Sequence, residues 1–256
     1  MKRLLFCYLS VFTIISYYSQ AQQHPGYLTL RLTKGDTLAN IYSRTIAITG
    51  DQFQPVVYRV SGSSSYVVTN NDARNPSFTE TDIYDEQPDT HAEVTIGLNG
   101  TNVFAGKSFL NPNASGLLYS EFIWGPIPAK LHEGDTWQHT ISQAWELGGP
   151  GTQTVKVIAL DPQHATITLQ REDTSEGFFD HDVQQLPITT KEAKKLKATV
   201  TPGTAHWTGY TSFKNGVVIS DELLVIRPVT LEAEGQRFSG KQREYMLLNA
   251  MPHHLL

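Results

Sequence analysis

The chain has 256 residues, a formal charge of −5 from 20 Lys and Arg against 25 Asp and Glu, and a single cysteine. A negative chain without a basic cluster excludes an electrostatic footprint for nucleic acid or anionic lipid. One cysteine excludes a disulfide framework and a thiolate metal site.

The first residues read MKRLLFCYLSVFTIISYYSQA. Lys2 and Arg3 precede an apolar run from Leu4 to Tyr18, short for a membrane span. Ser19-Gln20-Ala21 then supplies a small-x-small cleavage pattern, so residues 1–21 are expected to be a secretory signal peptide. The protein is expected to be exported, to a periplasm or to the outside. Cys7 lies inside the apolar run, behind Phe6, rather than just after it. A soluble exported chain is therefore expected in preference to a lipid-anchored one. Removal of Lys2 and Arg3 takes the formal charge from −5 to −7. No later segment is apolar for long enough to span a bilayer.

From there the dominant period is two, the period of a half-buried strand. Leu28 to Thr33 alternates leucine with polar residues and predicts a strand. LTKGDTLANIYSRTIAI follows over residues 32–48, and LHEGDTWQHTISQAWEL repeats its pattern over 131–147. Gly accepts positive φ and Asp can bond nearby amides, so Gly-Asp-Thr is read as a structural corner used twice. Two copies suggest two related β halves, residues 22–125 and 126–252, with 253–256 as a tail. Strands are predicted over Val56–Val60, Tyr66–Thr69, Val94–Leu98, Leu117–Trp124, residues 136–147, Thr154–Leu160, Ala165–Gln170, Ala205–Phe213, Val217–Ile226 and Glu244–Leu248. Ser61 to Ser65 reads as a loose turn. Asn215-Gly216 predicts a tight hairpin and Asp161 to His164 another. Asn99-Gly100 is a third turn, and Gly148 to Gly151 should break the chain after Leu147.

Two segments depart from this pattern. Residues 70–93, NNDARNPSFTETDIYDEQPDTHAE, are polar, acidic and proline-marked, and predict a long loop. Asp72, Glu80, Asp82, Asp85, Glu86, Asp89 and Glu93 could offer oxygen to calcium there, but the glycine and register of an EF-hand are missing. Residues 189–197, TTKEAKKLK, predict one short helix, with Thr189 and Glu192 at capping-box spacing.

Chemistry is sparse. No Gly-x-Ser-x-Gly elbow exists. His132-Glu133 lacks the second histidine of a zinc-protease helix. Asp180-His181-Asp182 and His253-His254 read as solvated segments rather than ligand sets, so no metal or cofactor is expected. The aromatics are the remaining resource. Trp137, Ile141, Trp145 and Leu147 share one strand face with His139. With Trp207 and Tyr210 they give the candidate ligand-binding set: Trp137, His139, Trp145, Trp207 and Tyr210. The bland alternative is that they are core, with His139 held by a backbone partner. Val217 to Ile219, Leu223 to Ile226 and LLYSEFIW are apolar on both faces, which implies a second layer or a hollow.

The leading strand YLTLRLTKGDT, the central IPAKLHEGDTW, the hairpin TVKVIALDPQHATITLQ and a late strand pair turning at Phe213-Lys214-Asn215-Gly216 together resemble the uncharacterised exported β proteins of Bacteroidetes. There a Gly-Asp-[Thr/Ser]-Trp corner opens the second half. More distantly the chain is similar to periplasmic lipoprotein-carrier half-barrels, which implies a hydrophobic concavity for acyl chains. No catalytic residue carries over from either resemblance.

The expectation is an all-β, mainly antiparallel protein with one short helix and two similar halves, open to being one curved sheet or half-barrel. A non-enzymatic exported binding protein, sheltering an apolar molecule or lipid, is the preferred function. A structural or interaction module with a filled core and a hydrolase on an envelope or extracellular polymer stay open as alternatives.

Overall fold

The computed structural model describes residues 26–84, 90–97, 101–104, 107–110, 117–142, 150–175 and 185–251. The expected signal peptide, the Asn99-Gly100 turn, Trp145, the Asp180–Asp182 cluster and the tail at 253–256 lie outside them. The described strands are β1 Thr37–Thr49, β2 Val56–Asn70, β3 Ser77–Tyr84, β4 Thr90–Ile96, β5 Thr101–Phe104, β6 Lys107–Leu110, β7 Thr136–Ile141, β8 Gly151–Asp161, β9 Thr166–Ser175, β10 Gln185–Thr189, β11 Lys195–Pro202, β12 Ala205–Lys214, β13 Val217–Ala233 and β14 Gln236–Ala250, with one single-turn helix, α1 Glu121–Trp124. All fourteen strands belong to one antiparallel sheet. The all-β expectation holds.

Twelve strands form a continuous path, β6-β5-β4-β3-β2-β1-β14-β13-β12-β9-β8-β7. Its left half is the first six strands in chain order; its right half is β7, β8, β9, β12, β13 and β14, also in chain order. Two six-stranded meanders are thus laid head to tail. The joint is the long antiparallel pairing of β1 with β14, from Asn40 opposite Ala250 to Thr49 opposite Lys241. The path ends at β6 and β7 and stays open. β10 and β11 lie off it, β11 pairing with the far end of β13. The β10 end returns to the β1–β2 loop through a Phe53–Thr190 bridge and the Gln54 N–H donating to the Thr189 carbonyl at 2.7 Å.

The repeated corner is the same structure twice. Gly35 and Gly134 have φ of 92° and 88°, a region that favours glycine. The Thr33 N–H donates to Asp36 Oδ2 and the His132 N–H to Asp135 Oδ2, each at 2.7 Å. Gly35 N–H donates to the Val68 carbonyl and Gly134 N–H to the Val157 carbonyl, each at 2.9 Å. Val68 and Val157 return a bond to the carbonyls of Asp36 and Asp135, again at 2.9 Å. Each corner therefore starts the first strand of a half and locks it onto the second.

Alternation places the core on one face of the sheet, here called inner. Three apolar clusters lie on it. One spans the second half, with Val155, Leu169, Trp207, Phe213 and Leu223 packed under Tyr27, Leu28, Tyr119, Ile123 and Trp124. A second, around Phe53, Leu186, Ile188, Leu196, Val229 and Leu231, sits beneath the β10–β11 hairpin. The third lies in the first half, where Val68, Phe78, Val94 and Ile96 meet Leu117 and Leu118.

Five local expectations are corrected. Residues 189–197 are no helix: β10 turns at Ala193, φ 66°, into β11. Inward alternation of Leu186, Ile188, Leu196, Ala198 and Val200 outweighs the capping-box signal. The short helix is instead at Glu121–Trp124, inside the predicted strand Leu117–Trp124, of which Leu118 keeps one bridge to Val217. Within the predicted loop 70–93, residues 77–84 form β3 and residues 90–93 open β4, with Phe78 buried. Ser61 to Ser65 lies within β2, where Ser64 is buried. Leu28 to Thr33 makes no ladder, because its backbone meets a turn rather than a strand: Gly216 N–H donates to Tyr27 carbonyl at 2.8 Å and Arg31 N–H to Asn215 carbonyl at 3.3 Å. The Asn215-Gly216 hairpin forms as expected, with φ of 50° and 76°.

Candidate functional site

Three of the sequence-predicted residues, Trp137, His139 and Trp207, share the inner face of the second half, and two of them are bonded to backbone carbonyls. α1 is one turn long, so its last carbonyls have no intrahelical partners. Side chains supply them. His139 Nε2 donates to the Phe122 carbonyl at 2.7 Å, Gln153 Nε2 to the Ile123 carbonyl, Trp137 Nε1 to the Trp124 carbonyl at 2.7 Å, and Tyr119 Oη to the Gly125 carbonyl at 2.6 Å. Four successive carbonyls are satisfied by side chains from β7, β8 and the segment's own tyrosine. Burial, with Glu121 adding to it, pushes the Tyr119 hydroxyl up, which keeps it a donor. Gly125 has φ 80°, and a Cβ there would lie 3.0 Å from His139 Nδ1. The clamp therefore needs glycine at that point.

The clamped segment drives Tyr119, Ile123 and Trp124 into the second-half core. Trp124 meets Phe213 edge-on at 5.4 Å, and Tyr119 meets the same ring at 5.7 Å. Trp207 is buried beside them. Arg171 lies between the two tryptophans, its guanidinium carbon 5.0 Å from the Trp124 ring centre and 6.0 Å from that of Trp207. It reaches Asp221 at 3.5 Å across Gly209, its register partner. Tyr210 is not part of this group: it is on the opposite face, 44% exposed. Trp145 lies outside the described residues.

A different region of the inner face is open. It is the joint between halves, where β2, β1 and β14 run side by side. Register aligns three inner-face rows: Tyr58 beside Ile46 and Glu244; Val60 beside Arg44 and Met246; Gly62 beside Tyr42 and Leu248. Arg44 is the centre of this grid. Tyr58 and Val60 are 41% and 40% exposed, although the same face buries Val68 at one end of β2 and packs Val56 at the other. Beneath them runs a charged seam. Arg44 Nη2 is 2.5 Å from Glu244 Oε1, Arg227 Nη2 is 3.9 Å from Glu244 Oε2, and Gln242 Nε2 donates to Glu244 Oε2 at 2.9 Å. Glu244 and Arg227 are each 1% exposed, whereas the Arg44 side chain is 19% exposed. Burial weighs most against the Arg227 charge, Glu244 supports it, and Arg44 opposes it.

A second polar group lies on the inner face of β3. Glu80 engages Tyr66, and burial, with Asp82 adding to it, raises the Glu80 carboxyl while the Tyr66 bond lowers it. Among the described residues no group of three or more His, Cys, Asp or Glu could hold a metal ion. Asp72 instead caps its own turn, accepting from the Arg74 and Asn75 amides at 2.8 and 2.7 Å. Glu133 accepts from the Leu160 amide. No described helix is long and apolar enough to cross a membrane.

Sequence reading missed Arg44, Arg227 and Glu244. The available signal was the alternation of β14, in which Phe238, Gln242, Glu244 and Met246 share a face. Polar residues in such a row suggest the solvent side until the partner strands are known. Against known proteins, no family model matches this chain and no curated protein matches it.

Proposed function

We propose that this is an exported, non-enzymatic binding protein that shelters the apolar part of a small molecule or lipid on the inner face of its β1–β2–β14 joint. The observation that carries the reading is the exposure of Tyr58 and Val60 on the face that elsewhere holds three packed clusters. Covering the remaining two-fifths of each would contribute about 1 kcal/mol apiece, given ~1.5–3 kcal/mol for full burial of a large apolar side chain. Ile46 and Tyr42, each half-buried, extend the same surface.

A second reading, a structural or interaction module, is favoured by one observation: Tyr119, Ile123 and Trp124 fill the inner face of the second half. Native mass spectrometry of the protein purified from its own envelope separates the two. The binding reading expects a co-purifying apolar mass that Val60→Asp removes. Bare protein at the chain mass would transfer the assignment to the structural module.

A further inference from the structure

We propose that the outer face of the second half carries a binding groove for a neutral oligosaccharide. This face is opposite the joint, so the groove stands apart from the sheltering reading above. It crosses β8, β9, β12 and β13 with a volume of about 460 Å3, within the roughly 300–1,000 Å3 of small-molecule sites. Register sets two rows of side chains along it. Thr154, Glu172, Thr208 and Leu224 run side by side, and Tyr245 of β14 continues that row. Thr174, His206 and Ile226 form the next row, continued by Arg243.

The lining divides by chemistry. Leu224 and Ile226 of β13 give a half-buried apolar floor, while β8, β9 and β12 supply hydroxyls, a carboxylate and an imidazole. Threonine and imidazole both donate and accept, and a carboxylate accepts. A wholly apolar ligand would strip water from these groups without replacing its bonds. A pyranose matches both parts, with C–H faces for the floor and hydroxyls around its edge. Charge favours a neutral sugar. Over these two rows and the next, which holds Lys156, Gln170, Tyr210 and Glu222, the outward cations are Lys156 and Arg243 and the outward carboxylates Glu172 and Glu222. Asp173 also touches the groove, but it belongs to the inner-face row of Trp207 and accepts from the Thr174 amide at 2.5 Å. An ion of either sign therefore meets both signs on this face.

Two tyrosines extend the surface beyond the groove. Tyr210 and Tyr245 are 44% and 39% exposed. They flank Glu222, Tyr210 as its register partner and Tyr245 through its hydroxyl, which donates to Glu222 Oε1 at 3.0 Å. Their strands are two apart, ~10 Å at ~4.8 Å spacing, the reach of two linked sugar rings. A tyrosine offers an apolar ring face and a polar tip, and so can stack on sugar C–H groups while bonding a hydroxyl.

The test is saturation-transfer NMR of the purified protein with maltotetraose, cellotetraose and chitotetraose, and with tetragalacturonic acid as the anionic counterpart, followed by calorimetric titration. The expected result is that at least one neutral tetrasaccharide binds with Kd below ~1 mM and at least ~10-fold tighter than the acid. Glu172→Ala should weaken that binding ~10-fold, the effect of losing a hydrogen bond to a charged group. Tyr210→Ala should weaken it ~3-fold or more. Ile41→Ser, at an exposed outer-face position in the first half, should leave it unchanged. Binding of none of the three neutral sugars, tighter binding of the acid, or full binding by both the Glu172 and Tyr210 variants overturns the groove and leaves the sheltering reading standing. If a variant fails to fold by circular dichroism, the neutral-to-acid ratio of the parent protein decides alone.

Discussion

Glu244→Leu tests the charged seam most directly. The carboxylate is ion-paired with Arg44 at 2.5 Å, accepts from Gln242 at 2.9 Å and stands 3.9 Å from Arg227. Leucine has a similar volume, so the cavity contribution is small and the loss is electrostatic. Removing one partner of a buried ion pair costs about 3–5 kcal/mol, because the other charge stays in a poorly solvated place. Arg44 has a route to water, so most of the cost falls on Arg227, which is 1% exposed. For a chain of this size roughly 2–4 °C of Tm corresponds to each kcal/mol, so melting should fall by about 6–20 °C. The double variant Glu244→Leu with Arg227→Met removes both fully buried charges and should return to within ~1.5 kcal/mol of the parent. Urea titration followed by circular dichroism gives both free energies, with the m values compared to confirm a common transition. A single variant that loses less than ~1 kcal/mol, or a double variant no more stable than the single, refutes the seam as described.

Three further outcomes follow from other parts of the fold. Gly125→Ala places a side chain at φ 80°, ψ 177° and 3.0 Å from His139, and should cost about 1–3 kcal/mol in a thermal melt; an unchanged Tm would show that the α1 clamp yields freely. Glu80→Gln should stabilise near neutral pH. The folded-state pKa of Glu80 is raised, chiefly by burial, so the stability it contributes is present at acid pH and lost as pH rises through the folded value. The gain should shrink towards zero below about pH 4, near the ordinary glutamate value, and a gain independent of pH would contradict the cause. Asp36→Ala and Asp135→Ala should each cost roughly 1 kcal/mol, since each removes one charged acceptor from an exposed amide. The two losses should add in the double variant, and a tenfold difference in their effects on the folding equilibrium would show that the corners are not equivalent.

The corners and most strands are legible in the sequence because their signals are local. Gly-Asp-Thr needs only a positive φ and an amide three residues back, and Asn215-Gly216 needs only two positive φ values. The candidate site was less legible. Trp137 and His139 share a face with core residues, as the alternation implies, yet their polar atoms are spent on the carbonyls of Trp124 and Phe122. Those carbonyls need donors because LLYSEFIW coils for a single turn, and no periodicity in that segment distinguishes such a turn from a buried strand.

What the amino-acid order by itself determined is where this chain alternates, where it reverses and which residues can tolerate the reversal; these depend on backbone sterics within a few residues. Only the tertiary structure decided which face each polar residue occupies. Arg44 and Glu244 belong to opposite ends of the described chain, and they meet because the first strand of one half pairs with the last strand of the other. Alternation is symmetric between a sheet's two faces. The choice between them, and with it the charged seam at the joint, is made by long-range pairing and by the segments that cover the sheet.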